Sequence, residues 1–135
     1  MNNKKYLVKA ITLFEVLITF ALIGIMFMLV LPNQASNVAK AKALEAQSML
    51  NHVYSLEKNY FYMYSKYSSD LNEIGFEQQL LATEGGTANY KISVESASNS
   101  SFVIKAEAVV DFDADGTLNV WQIDQDKILK ETVRD

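Results

Sequence analysis

The 135-residue sequence predicts an α+β chain: a long amino-terminal helix packed on a small antiparallel sheet of three to four strands. Three observations carry that expectation. Residues 11–31 form an apolar run with a single charge, Glu15. Apolar positions then recur at spacings of three and four as far as Tyr64, with neither Gly nor Pro between Asn33 and Tyr64. Past Glu84-Gly85-Gly86-Thr87 the period falls to two.

The apolar run of 21 residues reaches roughly 31 Å as a helix, the thickness of a bilayer's hydrocarbon core. Lys4, Lys5 and Lys9 precede it and no basic residue follows until Lys40, which orients the amino end to the cytoplasm and the remainder outward. A secretory signal would carry a shorter apolar core, about 7–15 residues, followed by a small-x-small cleavage site. Pro32-Asn33-Gln34-Ala35 lacks that pattern, so an anchor is expected. Glu15 is costly in hydrocarbon and marks function, unless it belongs to a plain anchor and snorkels to the interface. Pro32 removes a hydrogen bond and crowds the Met28 carbonyl, which predicts a kink. Gly24 adds a helix penalty of roughly 1 kcal/mol. Both residues are also ordinary in spanning helices.

Residues 33–66 read as an amphipathic helix. Ala46, Met49, Leu50, Val53, Leu56, Tyr60 and Tyr64 line one face; Lys40, Glu45, Gln47, Asn51, Glu57 and Lys58 line the other. One continuous helix from Ile11 to Tyr64 would measure about 80 Å, too long for the core of a small globule. Its first half must therefore lie in lipid or against other copies. The aromatic stretch Tyr60–Tyr67 reads as core and interface rather than a ligand patch. Residues 67–89 form a connecting loop, and residues 90–135 the sheet. In it Tyr90, Ile92 and Val94 alternate with polar residues, and Asn99-Ser100 makes a turn. Phe102, Ile104, Ala106 and Ala108 face inward from a second strand, and Thr117–Ile123 supplies a third. Ile128-Leu129-Lys130 is a short edge segment.

The chain holds no cysteine and one histidine, His52, and it lacks the nucleophile and phosphate-loop motifs of common enzymes. It is not expected to be an enzyme. Beyond Pro32, nine basic side chains face fifteen acidic ones, a net of −6. That balance is a poor platform for a phosphate backbone, and no nucleic-acid partner is expected. Asp111, Asp113 and Asp115, with Gly116 and Asn119, copy the first half of a calcium loop. The twelfth position is Gln122 rather than a bidentate Glu, and no second helix follows. A hairpin turn built on Asp115-Gly116 accounts for the same residues. Calcium is the one cofactor these residues put forward.

Lys9-Ala10-Ile11-Thr12-Leu13-Phe14-Glu15 and the apolar run behind it resemble the amino-terminal signature of type IV pilins and type II secretion pseudopilins. The family carries a short basic leader, a small residue, a hydrophobic residue, then Thr-Leu-x-Glu. Ala10 stands where the family usually has glycine, and Ile11 where it usually has phenylalanine. The stretch Tyr60–Phe76 is similar to the helix-to-sheet connection of pilins. The resemblance implies a leader, residues 1–10, cut by a prepilin peptidase between Ala10 and Ile11. That cut moves formal net charge from −4 to −7 through loss of Lys4, Lys5 and Lys9. It further implies an N-methylated Ile11 and an assembly helix, residues 11–32, in which Thr12, Glu15, Gly24 and Pro32 serve subunit packing. In a staggered bundle Glu15 would approach the Ile11 amine of a neighbour.

The implied partners are further copies in a helical filament, other pilin-like subunits and an inner-membrane assembly platform. The implied location is a single pass of the bacterial inner membrane with a periplasmic carboxyl-terminal domain, ahead of a periplasmic pseudopilus or a surface pilus. Lack of a disulfide and a compact sheet resemble the pseudopilins of type II protein secretion more closely. The alternatives are a major or minor type IV pilin, serving adhesion, motility or DNA uptake, and a signal-anchored calcium-binding module that never polymerises.

Overall fold

The computed structural model describes residues 11–30, 34–112 and 114–134. The chain divides into two units, one ending at Gln34 and one spanning Ala35–Asp135. In the first, helix α1 covers Leu13–Val30. The expected kink at Pro32 falls outside the described residues. In the second, helix α2 (Gln34–Tyr64) precedes four strands, β1 (Tyr90–Ala97), β2 (Phe102–Ala108), β3 (Val120–Asp124) and β4 (Leu129–Val133). The strands form an antiparallel meander in the order β1-β2-β3-β4. The α+β class and the helix on an antiparallel sheet are as expected.

Helix α2 buries the stripe Ala46, Leu50, Val53, Glu57 and Tyr60, whose spacings of four, three, four and three keep them on one line. The stripe lies on Phe102, Ile104, Ala106 and Ala108 of β2, every second residue of that strand, together with Tyr90, Ile92 and Ile123. Each large apolar side chain fully buried here contributes about 1.5–3 kcal/mol. Tyr67 from the connection closes the core over the end of α2, and Phe76 joins the core beside His52. Phe61 stacks on Tyr67 at 4.7 Å, and Tyr67 meets Phe102 edge-on at 4.7 Å. The helix stops at Ser65, whose φ of 56° is left-handed and whose N–H donates to the Phe61 carbonyl at 2.8 Å.

Several positions differ from the sequence reading. β3 starts at Val120, not Thr117, because the Thr117 amide donates to the Asp115 side chain and belongs to the preceding turn. The edge segment is a full strand, β4, paired with β3 from Val120↔Val133 to Ile123↔Leu129. Glu45, placed on the outer face, accepts the Asn89 N–H at 2.7 Å and its side-chain amide at 2.6 Å, and so ties α2 to the start of β1. Tyr64, assigned to the apolar face, is exposed. Gln78 in the connection pairs with the free edge of β1. Its Oε1 accepts the Ile92 N–H at 2.9 Å and its Nε2 donates to the Tyr90 carbonyl at 3.1 Å.

The largest departure is Glu57. Also assigned to the outer face, it is fully buried, because it sits four residues after Val53 and three before Tyr60. Its Oε2 accepts the Ser68 N–H at 3.1 Å, while its Oε1 is buried with no hydrogen-bond partner among the described residues. Next to it, Ser68 Oγ donates to Glu73 at 2.7 Å and Tyr60 donates to Glu73 at 3.2 Å. Burial pushes the Glu57 carboxyl above the ordinary carboxylate value, and the Ser68 amide offsets part of that rise. The fold thus disfavours the charged form. Stability from this group grows as pH falls through its raised value toward the ordinary 4.5, and is lost as pH rises. For the full chain in detergent, Glu57→Gln should raise the melting temperature by a few degrees near pH 8, followed by circular dichroism. The two melting temperatures should converge near pH 4.5. A substituted chain melting below the parent at pH 8 would contradict this account.

Candidate functional site

Among the described residues, no side chain of helix α1 is buried. Its 18 residues span about 27 Å with a mean hydropathy of 2.6, long and apolar enough to cross a membrane. Among the described residues, nothing lies within 4 Å of where a Cβ of Gly24 would stand, so no packing described there requires a glycine. Phe14, Leu17, Phe20, Ile23, Phe27 and Val30 are among the apolar side chains laid open.

The start of this helix carries the polar chemistry. Thr12 precedes the first helical residue and Glu15 stands three positions on, the arrangement of a capping box. Glu15 Oε2 accepts the Thr12 N–H at 2.8 Å and the Thr12 hydroxyl at 3.0 Å, and the Glu15 N–H donates back to that hydroxyl at 3.3 Å. The amide donors of a first helical turn have no partner in the helix, so Thr12 and Glu15 satisfy groups that hydrocarbon would leave bare. Thr19 donates to the Glu15 carbonyl at 2.7 Å. Both bonds accepted by the carboxylate fall on Oε2. The charge therefore sits beside residue 12, next in sequence to Ile11, which is itself 76% exposed. A Thr-x-x-Glu spacing ahead of an apolar run was the available signal for this box. The sequence reading took its two residues as assembly determinants alone. Ala10 and Pro32 lie outside the described residues.

The acidic stretch between β2 and β3 closes on its own backbone. Asp111 Oδ1 accepts the Ala114 N–H at 2.6 Å, and its Oδ2 accepts the Gly116 N–H at 2.7 Å. Asp115 Oδ1 accepts the Thr117 N–H at 2.7 Å. Gly116, at φ 89°, makes the reversal that a side chain would resist. Asn119 is buried in the sheet rather than turned to the loop. Its Oδ1 accepts the Tyr90 hydroxyl at 2.9 Å, and its amide donates to Glu131 and to the Val133 carbonyl. Asp113 lies outside the described residues. Among those described, no three acidic, histidine or cysteine side chains converge as a metal site would need. His52 is exposed on α2, 6.2 Å from the Phe76 ring. Tyr60 and Tyr67 enter the core, whereas Tyr62, Met63 and Tyr64 face outward.

No family model matches the chain. It is similar to the type IV major pilin protein PilA of Myxococcus xanthus (strain DK1622), with 33% identity over 85 residues. The matched stretch is 63% of this chain and 37% of the relative's length, so the chain spans little more than a third of the curated protein it matches. An apolar, capped amino-terminal helix and a helix-on-sheet domain accompany that similarity. The chain is a homologue of a type IV pilin.

Proposed function

We propose that the chain is a structural subunit of a helical filament of the type IV pilin class, made as a prepilin and held in the inner membrane until it assembles. The observation that carries this reading is α1, apolar along nearly its whole length and with no buried side chain among the described residues. In lipid such a helix is already at ease, since the hydrophobic effect gives spanning helices no reason to associate. Leaving the bilayer exposes it, and a bundle of the same helices from other copies is the cover that the pilin similarity supports. The carboxyl-terminal domains would then tile the outside of the filament. No catalytic role is proposed.

Two machines use such subunits. The absence of cysteine and the compact four-stranded sheet favour a type II secretion pseudopilus in the periplasm. The relative's description as a type IV major pilin favours a surface pilus. Deleting the gene separates the two. Loss of surface fibres in electron micrographs assigns the pilus, and intact fibres with proteins retained in the periplasm assign the pseudopilus.

Processing follows from the same reading. In a host with prepilin peptidase, mass spectrometry should find the mature chain starting at a methylated Ile11. A start beyond Leu31 would make the apolar run a secretory signal and remove the filament reading.

Glu15 has a second task in this scheme. Its carboxylate is already engaged by Thr12, so a neighbour's Ile11 amine would add a charged partner to a group that the capping box has positioned. Glu15→Leu should lose both the cap, at a cost of about 1 kcal/mol, and the pairing. Glu15→Gln keeps an oxygen acceptor for the cap and loses only the charge. Both variants should still be cleaved and remain in the membrane, yet fail to form filaments. Normal filaments from Glu15→Gln would assign the residue to capping alone.

A further inference from the structure

Ser68 holds two carboxyl groups at once. Its N–H donates to Glu57 Oε2 at 3.1 Å, and its hydroxyl donates to Glu73 Oε2 at 2.7 Å. It is buried, whereas residues 69–73 are exposed or half-buried. Residues 68–73 contain neither helix nor strand, only bends and turns. Tyr67 and Ile74, both in the core, bound this flap on either side. Asp70 shapes it from within: its N–H donates to the Ser68 hydroxyl at 3.0 Å, and its Oδ1 accepts the Asn72 N–H at 2.9 Å. Two attachments hold the flap to α2. One is the Ser68 N–H on Glu57, and the other is the Tyr60 hydroxyl, which donates to Glu73 Oε2 at 3.2 Å.

Beneath the flap, Glu57 is fully buried and its Oε1 meets no hydrogen-bond partner among the described residues. A neutral carboxyl tolerates that site far better than an ionised one, whose bare oxygen needs water or a cation. No cation answers it. Lys58, next along α2, donates to the Tyr67 hydroxyl at 2.9 Å, and among the described residues Lys105–Glu107 is the ion pair formed. Tyr60 lies in the field of both Glu73 and Glu57. From the connection come Glu73 and, exposed, Lys66 and Asp70. The sheet presents Phe102, Ile104 and Ile123 to the helix stripe, and none of them titrates. Burial raises the Glu57 carboxyl against the opposing pull of the Ser68 amide, so the closed flap disfavours the charged form.

We propose that residues 68–73 form a flap latched by Glu57: its neutral carboxyl keeps Ser68 seated, and its ionisation lifts the flap from α2 to bring water to Oε1. The flap is the cover that opens at least cost. Ser68 is its one buried residue, while the other neighbours of the stripe are core side chains of α2 and the sheet. The sign follows from the acid's preference for its neutral form in the closed state. The flap is tight at low pH and loosens as pH climbs from the ordinary 4.5 to the raised value of Glu57. The latch goes beyond the filament reading and does not depend on it.

Hydrogen exchange on the full chain in detergent tests the latch, with each amide expressed as a protection factor so that the intrinsic pH dependence of exchange cancels. Protection of the Ser68 amide should fall by up to about tenfold per pH unit above 4.5 and level off past the raised value, as release of one proton on opening requires. At every pH it should be far lower than that of Ile104 in β2, because the opening is local. Glu57→Gln should hold Ser68 protection constant across the same range. Ser68→Ala keeps the N–H and loses the hydroxyl bond to Glu73, so its pH dependence should persist and assign the effect to Glu57. In the parent chain, the infrared band of a protonated carboxyl should survive at a pH where exposed carboxyls have ionised, and Glu57→Gln should lack it. Ser68 protection that ignores pH in the parent chain, a slope that survives in Glu57→Gln, no such infrared band, or Ser68 and Ile104 exchanging together would each overturn the latch.

Discussion

A helix lying on a sheet can bury only one stripe, and the folded domain is built on the stripe from Ala46 to Tyr60. It sits on alternate residues of β2, so a period of 3.6 is matched to a period of 2 along one line of contact. The remaining elements are secured to that contact. Asn89 and Glu45 fix the start of β1, Tyr67 and Phe102 fix the end of α2, and Ser68 is hydrogen-bonded to the buried Glu57. Without a disulfide, these ties between helix, connection and sheet are what hold the connection down.

How much of this was legible depended on whether a position was governed by period or by partner. The inward face of β2 follows strict alternation and was read residue by residue. The apolar stripe of α2 was read through Ala46, Leu50, Val53 and Tyr60, but Glu57 was assigned outward because a carboxylate is presumed to face water. Its spacing placed it on the stripe all the same. Its partner, the Ser68 amide, comes from a loop whose path no periodicity reveals. Gln78 escaped for a related reason, since a side chain standing in for a strand has no sequence signature.

At the candidate site the apolar helix was legible from length and composition. The role of Thr12 in positioning Glu15 needed the spacing rule for helix caps, applied to a residue whose charge had drawn the attention. The acidic stretch shows the limit from the other side. Alternating carboxylates suit a cation and suit a turn equally well, and the choice between them lies in where the oxygens point. In the described residues they point to backbone N–H groups. Asn119, four residues after Asp115, is drawn into the sheet by Tyr90 and Glu131, partners far away in sequence.

The Gln78 side chain has a consequence for the way the sheet's edge meets other chains. An exposed strand edge is a template for cross-β growth, the route by which assembly becomes amyloid. Gln78 occupies the outward N–H of Ile92 and carbonyl of Tyr90, and a bulge between Val94 and Ser96 disturbs the rest of that edge. At the opposite edge β4 presents Lys130, Glu131 and Thr132, exposed and mostly charged. Neither border offers a flat apolar strand for another chain to copy. The sheet is thus poorly suited to extension sideways by another chain.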